Sequence, residues 1–189
     1  MDDVVLRTER LVLRNWRDED RDEWAAMNAD PEVMRHFPST MTREESDTSL
    51  DRWKGVIAET RWGLWAAEVP GEAPFIGFIG LAVPRFEAHF TPTVEVGWRL
   101  ARRFWGRGYA PEGAEEALRF AFEELGEREI VSMTTAENRK SQRVMEKLGM
   151  HRDPADDFDH PTAPADWPER RHVLYRLSAD EWRRRRAGR

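Results

Sequence analysis

The chain has no cysteine in its 189 residues, which excludes a disulfide framework, a thiolate zinc site, an iron–sulfur cluster and a cysteine nucleophile. No apolar run approaches the ~20 residues that a membrane-spanning helix requires. The opening Met1-Asp2-Asp3 is acidic, so neither a secretory signal nor a transit peptide is expected and a cytoplasmic setting follows. Basic residues are outnumbered: 30 Lys and Arg face 36 Asp and Glu, a net charge of −6. That balance disfavours a nucleic-acid partner and mildly favours cationic ones. No Gly-x-Ser-x-Gly marks a hydrolase, and no glycine-rich loop ends in Gly-Lys-Ser/Thr. The histidines at 36, 89, 151, 160 and 172 lack metal-ligand spacing, and Asp153, Asp156, Asp157 and Asp159 do not follow a calcium loop. No metal is expected.

What the chain does have is core material. Hydrophobic residues make up 40%, with nine Trp and nine Phe, and such an aromatic load argues against disorder. The length suits one domain, set at 1–180, with 181–189 as a solvated basic tail around Arg183-Arg184-Arg185-Arg186. Leu11–Trp16 reads as a strand, Asp18–Asn28 as a helix ended by Asp30-Pro31, and Thr42 with Glu45 as a capping box opening a second helix. Trp62–Val69, Phe75–Val83 and Thr93–Leu100 read as strands, the first two joined at Pro70-Gly71. Ala110, Ala114, Ala117, Leu118, Ala121, Phe122 and Leu125 recur at helical spacing. A strand at Ile130–Thr135, a helix from Asn138 to Leu148, a loop at 153–168 and a strand at Val173–Leu177 complete the order. Strands and helices are mixed rather than alternating, which predicts a mixed α/β, α+β-like domain and not a doubly wound sheet.

The most informative stretch runs from a strand through Arg103-Phe104-Trp105-Gly106-Arg107-Gly108-Tyr109-Ala110 into a helix. Glycines let main chain approach a ligand, and the unpaired N–H groups of a helix start, with its dipole, suit a diphosphate. A tight turn without a ligand is the other reading of these residues alone. Pro111 stands where a dinucleotide fingerprint needs its third glycine. Glu95 sits on an alternating strand with Gly97 and Arg99 on its side, flanked by apolar residues. Partial desolvation raises such a carboxyl toward the range of a useful base, whereas a solvated Glu or a pair with Arg99 is the plainer alternative.

Here the sequence resembles the GNAT N-acetyltransferases. Arg103-x-x-Gly106-x-Gly108 matches the Q/R-x-x-G-x-G/A signature, and Thr8-Glu9-Arg10-Leu11-x-Leu13-Arg14 opens as in the RimJ/RimL-like branch. Val94-Glu95-Val96-Gly97-Trp98 fits the strand before the turn, and Asn138-x-x-Ser141 with Glu146-Lys147-Leu148-Gly149-Met150 fits the late helix. The resemblance covers about Leu6 to Leu177. It implies a twisted, mostly antiparallel sheet splayed around acetyl-CoA and flanked by about four helices.

It also implies roles. Acetyl-CoA would be contacted by Trp98, Leu100, Arg103, Gly106, Arg107, Gly108, Tyr109, Ala110 and Asn138. Glu95 would be the base, acting through water, and a backbone N–H near Gly97 or Trp98 would meet the oxyanion. Many members place a proton-donating Tyr where this chain has Met145, which cannot donate; Ser141 would replace it. As plainer alternatives, Ser141 satisfies a backbone group and Asn138 is only an N-cap. The resemblance thus implies acetyl transfer to a primary amine of a small or peptide-like acceptor, by a monomer or homodimer. Protein N-terminal acetylation and a non-catalytic acyl-CoA-binding module are the alternatives. Phe37, Trp53, Trp62, Trp65, Phe86, Phe90 and Trp105 are candidates for an aromatic acceptor slot, and the Asp153–Asp159 cluster for attracting a cationic amine.

Overall fold

The computed structural model describes residues 5–188. Nine strands form one sheet: β1 (Leu6–Arg7), β2 (Val12–Arg14), β3 (Leu64–Val69), β4 (Ala73–Ala82), β5 (Val94–Leu100), β6 (Glu129–Thr135), β7 (His151–Arg152), β8 (Phe158–Asp159) and β9 (Arg171–Ser178). The order is β1-β2-β3-β4-β5-β6-β9-β7, with β8 also on β9. Every pairing is antiparallel except β5 with β6. Among the described residues five helices surround it: α1 (Arg21–Ala29), α2 (Arg43–Thr60), α3 (Tyr109–Glu123), α4 (Arg139–Lys147) and α5 (Ala179–Ala187). This is the mixed α/β fold expected from the order of elements.

Local chemistry explains most boundaries. The Thr42 hydroxyl accepts from Glu45 N–H and Glu45 accepts from Thr42 N–H, the reciprocal box that opens α2. The strand read over Leu11–Trp16 shortens to Val12–Arg14 because Trp16 turns inward, its indole N–H donating to Leu64 O at 2.7 Å. Arg14, buried, is then held by both oxygens of buried Asp20 at 2.8 Å and by Glu68. A 3-10 turn at Asp18–Asp20 precedes α1. On β4, Gly77 has φ +130°, and a Cβ there would lie 2.1 Å from Arg99 O, so only glycine lets β4 close on β5 at that level. Gly113 lets α3 pack close over Ile79, whose Cδ1 a Cβ would meet at 2.5 Å.

One expectation is corrected. Residues 181–187 are not a solvated tail but most of α5, opened by a Ser178–Glu181 capping box. Trp182 is buried against Phe122 of α3, and Arg185 pairs with Glu115 and donates to Lys147 O. The four arginines mask an apolar anchor, and α5 is the helix beyond the expected four.

Candidate functional site

The site builds from the one parallel junction. The β5–β6 ladder covers only Val94↔Ile130 and Glu95↔Val131. Beyond it the strands part, and Ser132 Oγ reaches across to donate to Val96 O at 2.9 Å. Because Val96 O faces β6, alternation turns the main-chain groups of Trp98 and Leu100 to the same edge, past the end of the ladder. Leu100 O accepts from the Trp105 indole N–H at 2.7 Å, which ties the strand's end to the turn that follows.

Glu95 stands at the root of this opening. The residue is half-buried, with its carboxyl packed among protein atoms. Burial pushes its pKa up to about 7, against the opposing pull of a hydrogen bond from Met133 N–H. Arg99 does not pair with it. The Arg99 guanidinium instead donates to Asn28 Oδ1 at 2.8 Å and lies 4.2 Å from the Phe37 ring centroid and 5.4 Å from that of Trp24.

At the other end of β5 the turn has the geometry of a cradle. Gly106 and Gly108 have φ of +76° and +84°, which favours glycine at both. A Cβ at Gly106 would meet nothing within 4 Å. Gly108 is the N-cap of α3 with no side-chain cap, so the first N–H groups of a 15-residue helix lie uncapped beside it. Pro111 sits in that first turn, where its missing N–H costs nothing. Buried Phe104 and Tyr109 anchor the loop, and Arg10 braces it from outside, donating to Arg107 O at 3.0 Å and pairing with Glu112. The Arg103 and Arg107 side chains form exposed ion pairs with Glu23 at 2.7 Å and Glu72 at 2.5 Å. A cavity of about 470 Å³ between α1 and residues 101–103 adjoins the turn.

Across the opening, α4 starts at Asn138. Its Oδ1 accepts from Ser141 N–H, while Nδ2 donates to Thr134 Oγ1 at 2.9 Å and Ser141 Oγ at 3.1 Å. Both amide hydrogens are therefore spent within the protein, and one carbonyl lone pair remains. Ser141 Oγ, held as an acceptor, keeps its own hydrogen without an acceptor among the described residues. Met145 is buried in the core.

The structure scatters the aromatic slot. Trp65 is core against Phe120, Phe86 and Phe90 join Phe158 in a separate cluster, and Trp105 bonds to Leu100; Phe37 lies over Arg99 on the face of Glu95. The aspartates are occupied as well: Asp157 with Arg152, Asp156 with Arg176 at 2.7 Å, Asp159 with Arg171 at 3.4 Å, and Asp153 capping Ala155 N–H. Each of the four is engaged by a neighbouring group. Three contributors escaped the sequence reading. Met133 and Ser132 belong to a strand far along the chain, and Lys140 places its ammonium 4.2 Å from the Trp105 ring centroid, next to the turn. Arg10 left a trace in the opening Thr8–Arg14 motif. Among the described residues no group of three or more His, Asp or Glu is arranged for a metal ion, and no helix is long and apolar enough to cross a membrane.

A family model described as the acetyltransferase (GNAT) domain matches residues 10–151. The FsC-acetyl coenzyme A-N(2)-transacetylase of Aspergillus fumigatus is 34% identical, over 95% of this chain and 78% of its own. A GNAT-family acetyltransferase from Bacillus anthracis superposes with a TM-score of 0.77 at 24% identity, covering 94% of this chain and all of its own. An acetyltransferase from Agrobacterium tumefaciens gives 0.73 at 28%, covering 94% and 95%. The uncapped glycine turn and the parted strands are thus found in a chain that belongs to the GNAT family of acetyltransferases.

Proposed function

We propose that the chain moves the acetyl group of acetyl-CoA onto a primary amine of a small or peptide-like acceptor within one ternary complex, as a RimJ/RimL-like member of its family. The observation that carries this reading is a single edge of β5. At its root stands a carboxyl with pKa raised to about 7, and at its end lie the uncapped glycine turn and helix start. The name of the Aspergillus relative, an acetyl coenzyme A-N(2)-transacetylase, supports transfer to nitrogen.

In this reading the N–H groups of Gly106, Gly108, Tyr109 and Ala110 hold the diphosphate, with Lys140 and the main chain of Arg103 and Arg107 beside it. The main-chain edge at Trp98 and Leu100 holds the carrier's arm, and the Oδ1 of Asn138 accepts from it. Acetyl-CoA supplies the thioester whose acyl carbon the amine attacks, forming the N–C bond and breaking C–S. Glu95, through a water, takes the proton that the amine loses. Its raised pKa brings it closer to an ammonium than an ordinary carboxylate stands. Trp98 N–H points at the developing oxyanion. Ser141, oriented by Asn138, delivers a proton to the departing sulfur.

The test follows free-thiol release from acetyl-CoA over a panel of amines, amino-acid derivatives, basic peptides and proteins with free N-termini. Release that depends on a small amine supports the reading. Release only with whole proteins selects N-terminal acetylation, and CoA binding without release from any acceptor selects a non-catalytic module.

A further inference from the structure

Arg99 is not explained by the chemistry assigned so far. It projects from the same face of β5 as Glu95 and Gly97. Its strand partner across β4 is Phe78, and Phe78, Trp24 and Phe37 surround its guanidinium at 5.6, 5.4 and 4.2 Å. Burial pulls its pKa down to about 10, so it is cationic at neutral pH. Arg14, Arg103, Arg107 and Arg119 are each paired with a carboxylate, but Arg99 pairs with none among the described residues. Among the described residues its one polar contact is neutral Asn28, and its Nε is buried without a hydrogen-bond partner. An orphaned buried donor of this kind is destabilising, and a charge in such a place calls for an anion.

The space for an anion is beside it. A Cβ on Gly97, between Glu95 and Arg99, would meet nothing within 4 Å, and Gly97 faces Gly80 across the strand pair. That face of β5 is therefore open over Gly97, with a carboxyl at one end and a guanidinium at the other. The two charged positions are four residues apart on an extended strand, about 13 Å at Cα.

We propose that Arg99 is the acceptor-recognition residue, and that the acceptor is an amine that also carries a free carboxylate, which Arg99 binds while the amine faces Glu95. This rests on the reading of Glu95 as the base in acetyl transfer. Charge-assisted bonding to a partly buried guanidinium gives the carboxylate its hold, and the aromatic rings around Arg99 fix the guanidinium rather than the substrate.

The experiment compares each amino acid in a series of increasing amine-to-carboxylate separation with its own carboxamide, by thiol release. The carboxamide has the more acidic ammonium and hence more free amine at a given pH, so this bias runs against the expected result. Wild-type kcat/KM is expected to favour the acid over the amide at least about tenfold in the best pair. Arg99→Met should bring that ratio near one with KM for acetyl-CoA unchanged, and Arg99→Lys should keep part of it. Equal or better use of the amide throughout the wild-type series overturns the proposal without any variant. A loss in Arg99→Met that is the same for acid and amide does so too, since it marks a structural role. Either result leaves acetyl transfer standing, whereas no thiol release from any amine overturns the transfer reading and the acceptor class together.

Discussion

Glu95 shows what a residue gains and loses by standing half-buried. Desolvation makes its carboxyl a better base, and the same desolvation destabilises the ionised fold. Its folded pKa of about 7 exceeds the ordinary glutamate value near 4.5, so the folded state holds the proton more tightly. The stability this gives is full below about pH 4.5 and is lost as pH rises through 7. Two outcomes are expected. Wild-type kcat/KM should rise through an inflection near pH 7, and Glu95→Gln should lack that inflection and lie about 10²–10⁴-fold lower above it. In thermal melts at pH 8 the same variant should be more stable than wild type, by up to about 3 kcal/mol, with the gain vanishing at pH 4. A slower variant with an unchanged inflection would take Glu95 out of the chemistry. The position of Glu95 was legible from strand alternation, which put it beside Gly97 and Arg99. Its partner was not: the Met133 N–H arrives from a parallel strand, and nothing local in the sequence encodes that register.

At the scale of the element, the turn before α3 was legible because its requirements are backbone requirements. Two positive-φ positions need glycine, and a proline fits the first helical turn. The side chains of the same turn were not legible, since Arg103 and Arg107 look like phosphate ligands yet close ion pairs with Glu23 and Glu72 from distant elements. The proposed cradle is thus expected to hold its ligand mainly through main chain. Gly108→Val puts a β-branched side chain at φ +84° and sets its Cβ 3.2 Å from Arg10 Nη2. The strain alone should cost about 1–2 kcal/mol, a fall of about 2–8 °C in the melting temperature of the free protein. The decisive reading is the ligand response. Acetyl-CoA should raise the wild-type melting temperature and leave that of folded Gly108→Val unmoved. An equal shift in both would place the diphosphate elsewhere.

For the whole molecule, the order of strands and helices disclosed the class of fold, because hydrophobic periodicity is local and each element carries its own. The end of the chain defeated that reasoning. Arg183–Arg186 dominates any charge reading, although Ser178 and Glu181 have the spacing of a capping box and Trp182 lies just inside it. The box was there to be read, but the burial of Trp182 depended on Phe122, an α3 residue distant in sequence. Through Arg185, α5 also touches Glu115 of α3 and the C-terminal carbonyl of α4 at Lys147. It therefore clamps together the two helices that carry the glycine cradle and Ser141. Trp182→Ala should cost about 3–5 kcal/mol, a drop of about 6–20 °C in melting temperature. Exposed Arg184→Ala should change stability by no more than about 0.5 kcal/mol. Because the clamp spans both sides of the opening, acetyl-CoA added to Trp182→Ala should recover part of that loss. A protein ending at residue 180 that melted like the full chain would show that α3 and α4 hold their places without α5.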